Sequence, residues 1–284
     1  MSNRLRFSIS IIALLTMSWL AGAAAVQQKP SSPGRVRVLS TQQETAASNN
    51  QEQEQQLPVA EYDAPEPADP AKRTLRRLRS RRHNLTDPSV KGNDVSRFAL
   101  TERSARVSLG GPWSHTPEEP AIPVAESDAI LIGDIVGANA YLSTDKTSIY
   151  SEFTLLVWEV IKDSRATITT GVPVTIERSG GALRFPSGKV LVRGLLGKPL
   201  PLISHRYVFF LKRNPEGEEF SLITAYELRG GQVFPLDGIS PKGDVVVPFS
   251  AYQKYKGVDE PSFLVTIRTL TQSSLGSPVE GGKE

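Results

Sequence analysis

The chain has no cysteine, and only two methionines, three tryptophans and three histidines among its 284 residues. The missing cysteines remove disulfides, thiol nucleophiles, thiolate metal sites and a lipid-modified cysteine anchor together. A domain of this size needs no disulfide staples, which matter mostly for much smaller cores. Their absence favours a bacterial exported protein over a eukaryotic secreted one. The histidines, His83, His115 and His205, show no His-Glu-x-x-His spacing, so no metal site is expected from them. Also missing are a Gly-x-Ser-x-Gly elbow, a Ser-x-x-Lys pattern in a helical setting and any phosphate-cradling glycine motif. No cofactor is expected. Past the N-terminus, no run is long and apolar enough to cross a membrane.

The N-terminus itself carries a recognisable order of parts. A cationic start with Arg4 and Arg6 leads into an apolar stretch from Phe7 to Leu20, and Ala23-Ala24-Ala25 offers a small-residue cleavage site. This reads as a secretory signal peptide over 1–25 and places the mature chain in the periplasm or outside the cell. The alternative is an uncleaved anchor, since a span of about 20 residues just crosses a ~30 Å hydrocarbon core. Ser8, Ser10, Thr16, Ser18 and Gly22 dilute that span and favour cleavage.

Residues 26–96 are rich in Gln, Glu, Ser, Pro and Arg and hold hardly any aromatics. Such a segment buries too little apolar surface to offset its conformational entropy, and it reads as a disordered linker. Within it, acidic residues from Glu44 to Asp69 precede a basic block over 72–82, in which seven of eleven residues are Lys or Arg. The block offers a possible contact with an anionic surface, or it is a solvated stretch neutralised by the acidic one. Leu75 and Leu78 alone make a poor apolar stripe for a helix. From residue 97 onward the chain carries twenty basic against twenty-one acidic residues, so the sequence pI near 9.1 belongs to the tail and the signal. No nucleic-acid partner is expected of the folded part.

The texture changes at residue 129. Strand-like runs follow at 129–138, 150–161, 172–178, 190–193, 206–212, 220–228 and 232–236. Ser179-Gly180-Gly181, Pro186-Ser187-Gly188, Asn214 to Gly217 and Gly230-Gly231 read as the connecting turns. No helical pattern of ten or more residues lies between the strands, which excludes a βαβ layout. Several runs are apolar on both faces. Phe153, Leu155 and Val157 oppose Leu156, Trp158 and Val160, and Tyr207, Phe209 and Leu211 oppose Val208 and Phe210. Two-sided burial points to a curved antiparallel barrel with a covered outer wall. A C-terminal helix supplies the cover: Asp259 caps it, Pro261 fits its first turn, and Phe263, Leu264, Ile267 and Leu270 share one face. Residues 273–284 read as a frayed tail, leaving 97–272 as the barrel domain. Trp113 is expected to pack onto the domain from a loop.

The fold class is therefore all-β, an OB-like barrel of about six or seven strands with a packed C-terminal helix. The residues over 128–136, 150–162 and 206–212 (Asp-Ala-Ile-Leu-Ile-Gly-Asp-Ile-Val, a long strand ending Val-Ile-Lys, and Tyr-Val-Phe-Phe-Leu) carry a resemblance. The arrangement resembles the tissue-inhibitor-of-metalloproteinases/netrin-like domains and uncharacterised exported bacterial proteins of similar pattern. Those inhibitors engage a catalytic zinc through an N-terminal cysteine, and this chain has none. The resemblance thus implies a fold and carries no inhibitory residue over.

Asp134, Glu152 and Glu227 each sit inside an apolar strand, where an unpaired carboxylate costs several kcal/mol. The expected partners are Arg178, Arg184 or Arg206. Two functions follow from two arrangements. Carboxylates that converge in an open pocket would make a secreted hydrolase. Carboxylates paired separately would leave Asp134, Glu152, Glu227 and Arg206 as candidate ligand contacts of a non-catalytic binding or scaffolding module, whose partner is an envelope protein or polymer.

Overall fold

The computed structural model describes residues 57–84, 99–102, 120–194, 197–238 and 251–276. Residues 1–25, read from the sequence as a signal peptide, lie outside the described residues, as do Trp113 and His115. In chain order the elements are β1 (Val59–Glu61), α1 (Pro70–Arg82), β2 (Ala129–Leu142), β3 (Ile149–Asp163), β4 (Pro173–Arg184), β5 (Val190–Gly194), β6 (Arg206–Arg213), β7 (Phe220–Arg229), β8 (Gln232–Pro235), a 3-10 turn (Ala251–Tyr255), β9 (Val258–Asp259) and α2 (Glu260–Gly276). All seven strands read from the sequence are present, and β1 and β9 complete a nine-stranded sheet among the described residues.

Five of these strands close on themselves in the order β4-β3-β2-β6-β7. Neighbours are antiparallel, but the seam is a parallel pairing of β4 with β7, Ile176 opposite Phe220 and Glu177 opposite Ser221. The wholly antiparallel barrel read from the sequence is corrected at this one seam. The result is an OB-like barrel, a connectivity in which the first strand pairs with the second and fourth and the third meets the fifth.

Closure requires long strands to bend sharply. β2 does so through three register shifts against β3. At Gly133 the two strands come so close that an added Cβ would sit 2.3 Å from the Leu156 carbonyl oxygen. The shift between Ile132 and Gly133 leaves Trp158 without a partner between Val157 and Glu159. Trp158 consequently projects outward, while Val160 turns back onto the interior cluster. Strict alternation had placed Val160 on the outer side, and the extra residue reverses it.

Ser179-Gly180-Gly181 is likewise not a turn. It lies inside β4, where Gly180 and Gly181 adopt φ of +122° and +142°. These glycines redirect the strand: residues before them pair with β3, and residues after them pair with β5 and, in parallel, with β1. The turns at Pro186–Gly188, Asn214–Gly217 and Gly230-Gly231 fall where the sequence put them. The last is a two-residue hairpin with both glycines at positive φ.

Packing follows the two-sided pattern. Inside the barrel, Phe153, Leu155, Ile176, Tyr207, Phe209 and Phe220 form the main core. Outside it, Ile130, Val208, Phe210 and Tyr226 pack beneath Phe263, Leu264 and Ile267 of α2. Each such side chain contributes about 1.5–3 kcal/mol by leaving water. Asp259 caps α2, its Oδ2 accepting from the Ser262 amide at 3.1 Å. Two expectations for this helix need correction. Leu270 is exposed, and Thr271 takes the buried position one residue on. The helix also continues to Gly276 rather than fraying from residue 273.

The larger correction concerns the linker. Of the stretch 26–96, residues 57–84 are ordered on the barrel: β1 adds to the sheet and the basic block forms α1. The compositional reading counted only apolar burial. Order here comes from backbone pairing to β4 and from ion pairs, neither of which hydrophobic content records.

Candidate functional site

Three carboxylates gather on the outer face of the barrel at its seam. Glu152 on β3 and Glu177 on β4 are cross-strand partners, and their neighbours Phe153 and Ile176 point inward, so both glutamates face out. Glu219 sits in the β6–β7 turn, two residues before Ser221, the partner of Glu177 across the seam. Left bare, three acids so placed would repel one another strongly.

α1 covers them. Its N-terminus is built by Asp69, which accepts from the Ala71 amide at 2.9 Å, with Pro70 in the first turn. Its arginines crowd the last turn, where a positive charge complements the helix dipole. Arg79 donates from Nη1 to Glu152 Oε2 at 2.8 Å and from Nε to Glu219 Oε1 at 2.8 Å. Arg82 grips Glu177 with two donors, one of them Nε to Oε2 at 3.2 Å. His83 lies within 3.2 Å of the same Glu177 oxygen through Nε2 and within 3.0 Å of Ser179 Oγ through Nδ1. Its ring stacks on Tyr150 at 4.5 Å and 4°. Ser80, the one fully buried residue of α1, accepts from the Thr144 amide in the β2–β3 turn. One turn earlier, Arg76 lies 4.6 Å over the Tyr141 ring.

Burial raises the Glu152 carboxyl above the ordinary glutamate range, and the charge of Arg79 only partly offsets this. Burial pushes Glu177 up too, yet the hydrogen bonds and charges of His83 and Arg82 outweigh it and hold the carboxyl below that range. The Arg79 guanidinium is pushed down by burial and drawn up more strongly by Glu219 and Glu152. The Tyr150 hydroxyl is buried and has no hydrogen-bond partner among the described residues.

The sequence-predicted candidates do not meet. Asp134 and Arg206 are cross-strand partners joined at 3.0 Å on the outer face, with the guanidinium 5.7 Å from the Trp158 ring. Glu227 belongs to the opposite face, opposite Tyr207, and lies 2.9 Å from His205 Nδ1 and 3.7 Å from Arg229. Glu152 is closed by Arg79. Of the expected partnerships only Asp134 with Arg206 formed. Arg178 pairs with Asp237 and Arg184 with Glu61. Glu177, Glu219, Arg79, Arg82 and His83 were missed. Their signal was the spacing Arg76, Arg79-Ser80, His83, one polar face of a helix, which a search for an apolar stripe overlooks. The remaining basic residues divide: Arg73 and Arg77 pair with Glu66, while Lys72 and Arg81 are exposed.

Among the described residues, no group of three or more His, Asp or Glu is placed to hold a metal, and no helix is long and apolar enough to cross a membrane. No family model matches the chain, and no curated protein matches it.

Proposed function

We propose that the chain is an exported, non-catalytic binding or scaffolding module of the bacterial cell envelope, carried on an OB-like barrel of the tissue-inhibitor-of-metalloproteinases/netrin-like kind. The observation that carries this reading is the separate pairing of Asp134, Glu152 and Glu227, each closed by its own cationic or histidine partner. A carboxylate-pair hydrolase needs two such groups open to one bond. Asp134 and Glu152 share the outer face but stand four residues apart along β3, and Glu227 lies on the opposite face. The gathered Glu152, Glu177 and Glu219 are closed by the arginines of α1. The barrel connectivity supports a binding role, because OB barrels take ligands on the face of their second and third strands and on the flanking loops. The N-terminal signal segment supports export.

The test is expression of the full chain with a C-terminal tag in a bacterial host, followed by fractionation, N-terminal sequencing and crosslinking. A chain starting at Val26, found outside the cytoplasm and crosslinked to an envelope component, is expected. An unprocessed cytoplasmic chain would overturn the reading. So would a hydrolytic activity of the purified protein that Asp134→Asn or Glu227→Gln abolishes.

A further inference from the structure

The face under α1 is the one that OB barrels use for ligands. It spans the second and third barrel strands, β3 and β4, between the β2–β3 turn at Thr144 and the β6–β7 turn at Glu219. Here that face is acidic, and an arginine-rich helix of the same chain occupies it. Glu152, Glu177 and Glu219 would repel a nucleic acid or an anionic polymer and attract guanidinium groups, which match carboxylates in paired geometry.

The contact is of an exchangeable kind. α2 is held by Phe263, Leu264 and Ile267 in an apolar core, whereas α1 fully buries only Ser80 and leaves Leu75 exposed. Its attachment consists of ion pairs, the Arg76–Tyr141 contact, the His83–Tyr150 ring stack and one serine. The chain is anchored independently on both sides of α1. Before it, β1 pairs with β4; after it, Leu100 is buried in the cluster formed with Ala60, Ile149 and Leu183. α1 can therefore lift without unfastening its flanks. A separate observation points to a ligand with more to offer than α1: the buried Tyr150 hydroxyl beneath His83 remains unpartnered among the described residues.

We propose that this face is a docking site for an arginine-rich helical segment of a partner protein, and that α1 is its displaceable occupant in cis. The proposal rests on the reading of the barrel as a binding module and supplies the chemistry of its partner. A tethered occupant has an effective concentration of roughly millimolar order, so the site is masked until a tighter segment competes.

The test uses the purified full mature chain, so its outcome is independent of where the protein resides in the cell. The probe is a fluorescent synthetic peptide of residues 66–84, with a control of identical composition in which the helical spacing of the arginines is broken. Binding is read by anisotropy. Wild type is expected to bind weakly. The variant Arg79→Ala/Arg82→Ala, with its own α1 loosened, is expected to bind at least tenfold more tightly. Adding Glu152→Gln/Glu177→Gln/Glu219→Gln to that variant should abolish the gain. Equal affinity of wild type and the arginine variant, or equal affinity for the two peptides, would overturn the proposal. Because the chain lacks cysteine, Lys72→Cys supplies a single labelling site in the otherwise native protein. A label there should gain mobility on addition of the spaced peptide at millimolar concentration. A label that stays rigid would make α1 a fixed part of the fold and overturn the proposal even if the arginine variant fails to fold.

Discussion

Arg178 and Asp237 form an ion pair on the inward face of β4, side by side with Ile176, and both residues are almost wholly withdrawn from solvent, at 4% and 1% exposure. One guanidinium nitrogen of Arg178 and one carboxylate oxygen of Asp237 have no other partner among the described residues. A buried pair of this kind adds little net stability, because the attraction mostly repays the loss of hydration. Breaking it is another matter, since one charge is then left alone. Arg178→Met is expected to lower stability by about 3–5 kcal/mol, and Arg178→Met/Asp237→Leu to recover most of that loss. Guanidinium denaturation of the three proteins checks this. A double variant as unstable as the single one would show the pair to be a net stabiliser.

The contrast between Ile267 and Leu270 tests where α2 faces. Helical spacing placed both on the buried side, but only Ile267 is covered, at 0% exposure against 42% for Leu270. Ile267→Ala should cost about 2–5 kcal/mol through lost transfer energy and a cavity beneath α2. Leu270→Ala should stay within about 0.5 kcal/mol of wild type. Thermal unfolding of both variants separates them; equal losses would mean that α2 is rotated from the orientation described.

These residues also mark how far the sequence is legible. Strand positions, the three short hairpin turns and the capped C-terminal helix follow from local patterns that packing then respects, such as Tyr207 inside and Val208 outside on β6. Val160 was misplaced because a bulge is a two-strand event, invisible in one strand's alternation. Leu270 was misplaced because the edge of a helical stripe is set by the shape of the wall it meets. The site was obscure for a different reason. Glu152 was legible as an anomaly, an acid in an apolar strand, but its partner Arg79 lies 73 residues earlier in a segment whose composition argues for disorder. No local rule joins the two. Glu177 and Glu219 come together only through the closing seam, which no single stretch of sequence displays.

Gly133 carries a sharp steric prediction. A methyl group there would meet the Leu156 carbonyl oxygen at 2.3 Å and Leu155 Cδ1 at 2.6 Å. The side chain can yield, but the carbonyl belongs to a paired strand. Gly133→Ala is expected to cost about 1–3 kcal/mol or more, as overpacking of a closed core does, and to lower the melting temperature by about 2–4 °C for each kcal/mol. Gly137→Ala is the control, because the nearest atom to its added methyl lies at 3.7 Å. Circular dichroism melts of the two variants should differ clearly; similar melting temperatures would mean that β2 and β3 separate at Gly133 without strain.

The two glutamates under α1 give stability a pH dependence with two opposite parts. Glu177 is held below the ordinary glutamate range because burial, which raises it, is outweighed by His83 and Arg82. Its contribution is therefore complete above the unfolded-state value and is lost as pH falls through the lowered folded-state value. Glu152 is held above the range, chiefly by burial. Its ionisation is a cost at neutral pH, and that cost is relieved as pH falls through the raised value. Acidification should thus relieve the Glu152 cost before it removes the Glu177 contribution. Denaturation midpoints across a pH series, taken as wild type minus variant, isolate each part. The difference between wild type and Glu177→Gln should be largest at neutral pH and shrink below the ordinary glutamate range. The difference between wild type and Glu152→Gln should change in the opposite sense, and above that range. A Glu177→Gln difference that is constant from neutral to acid would mean that Arg82 and His83 do not hold that carboxylate.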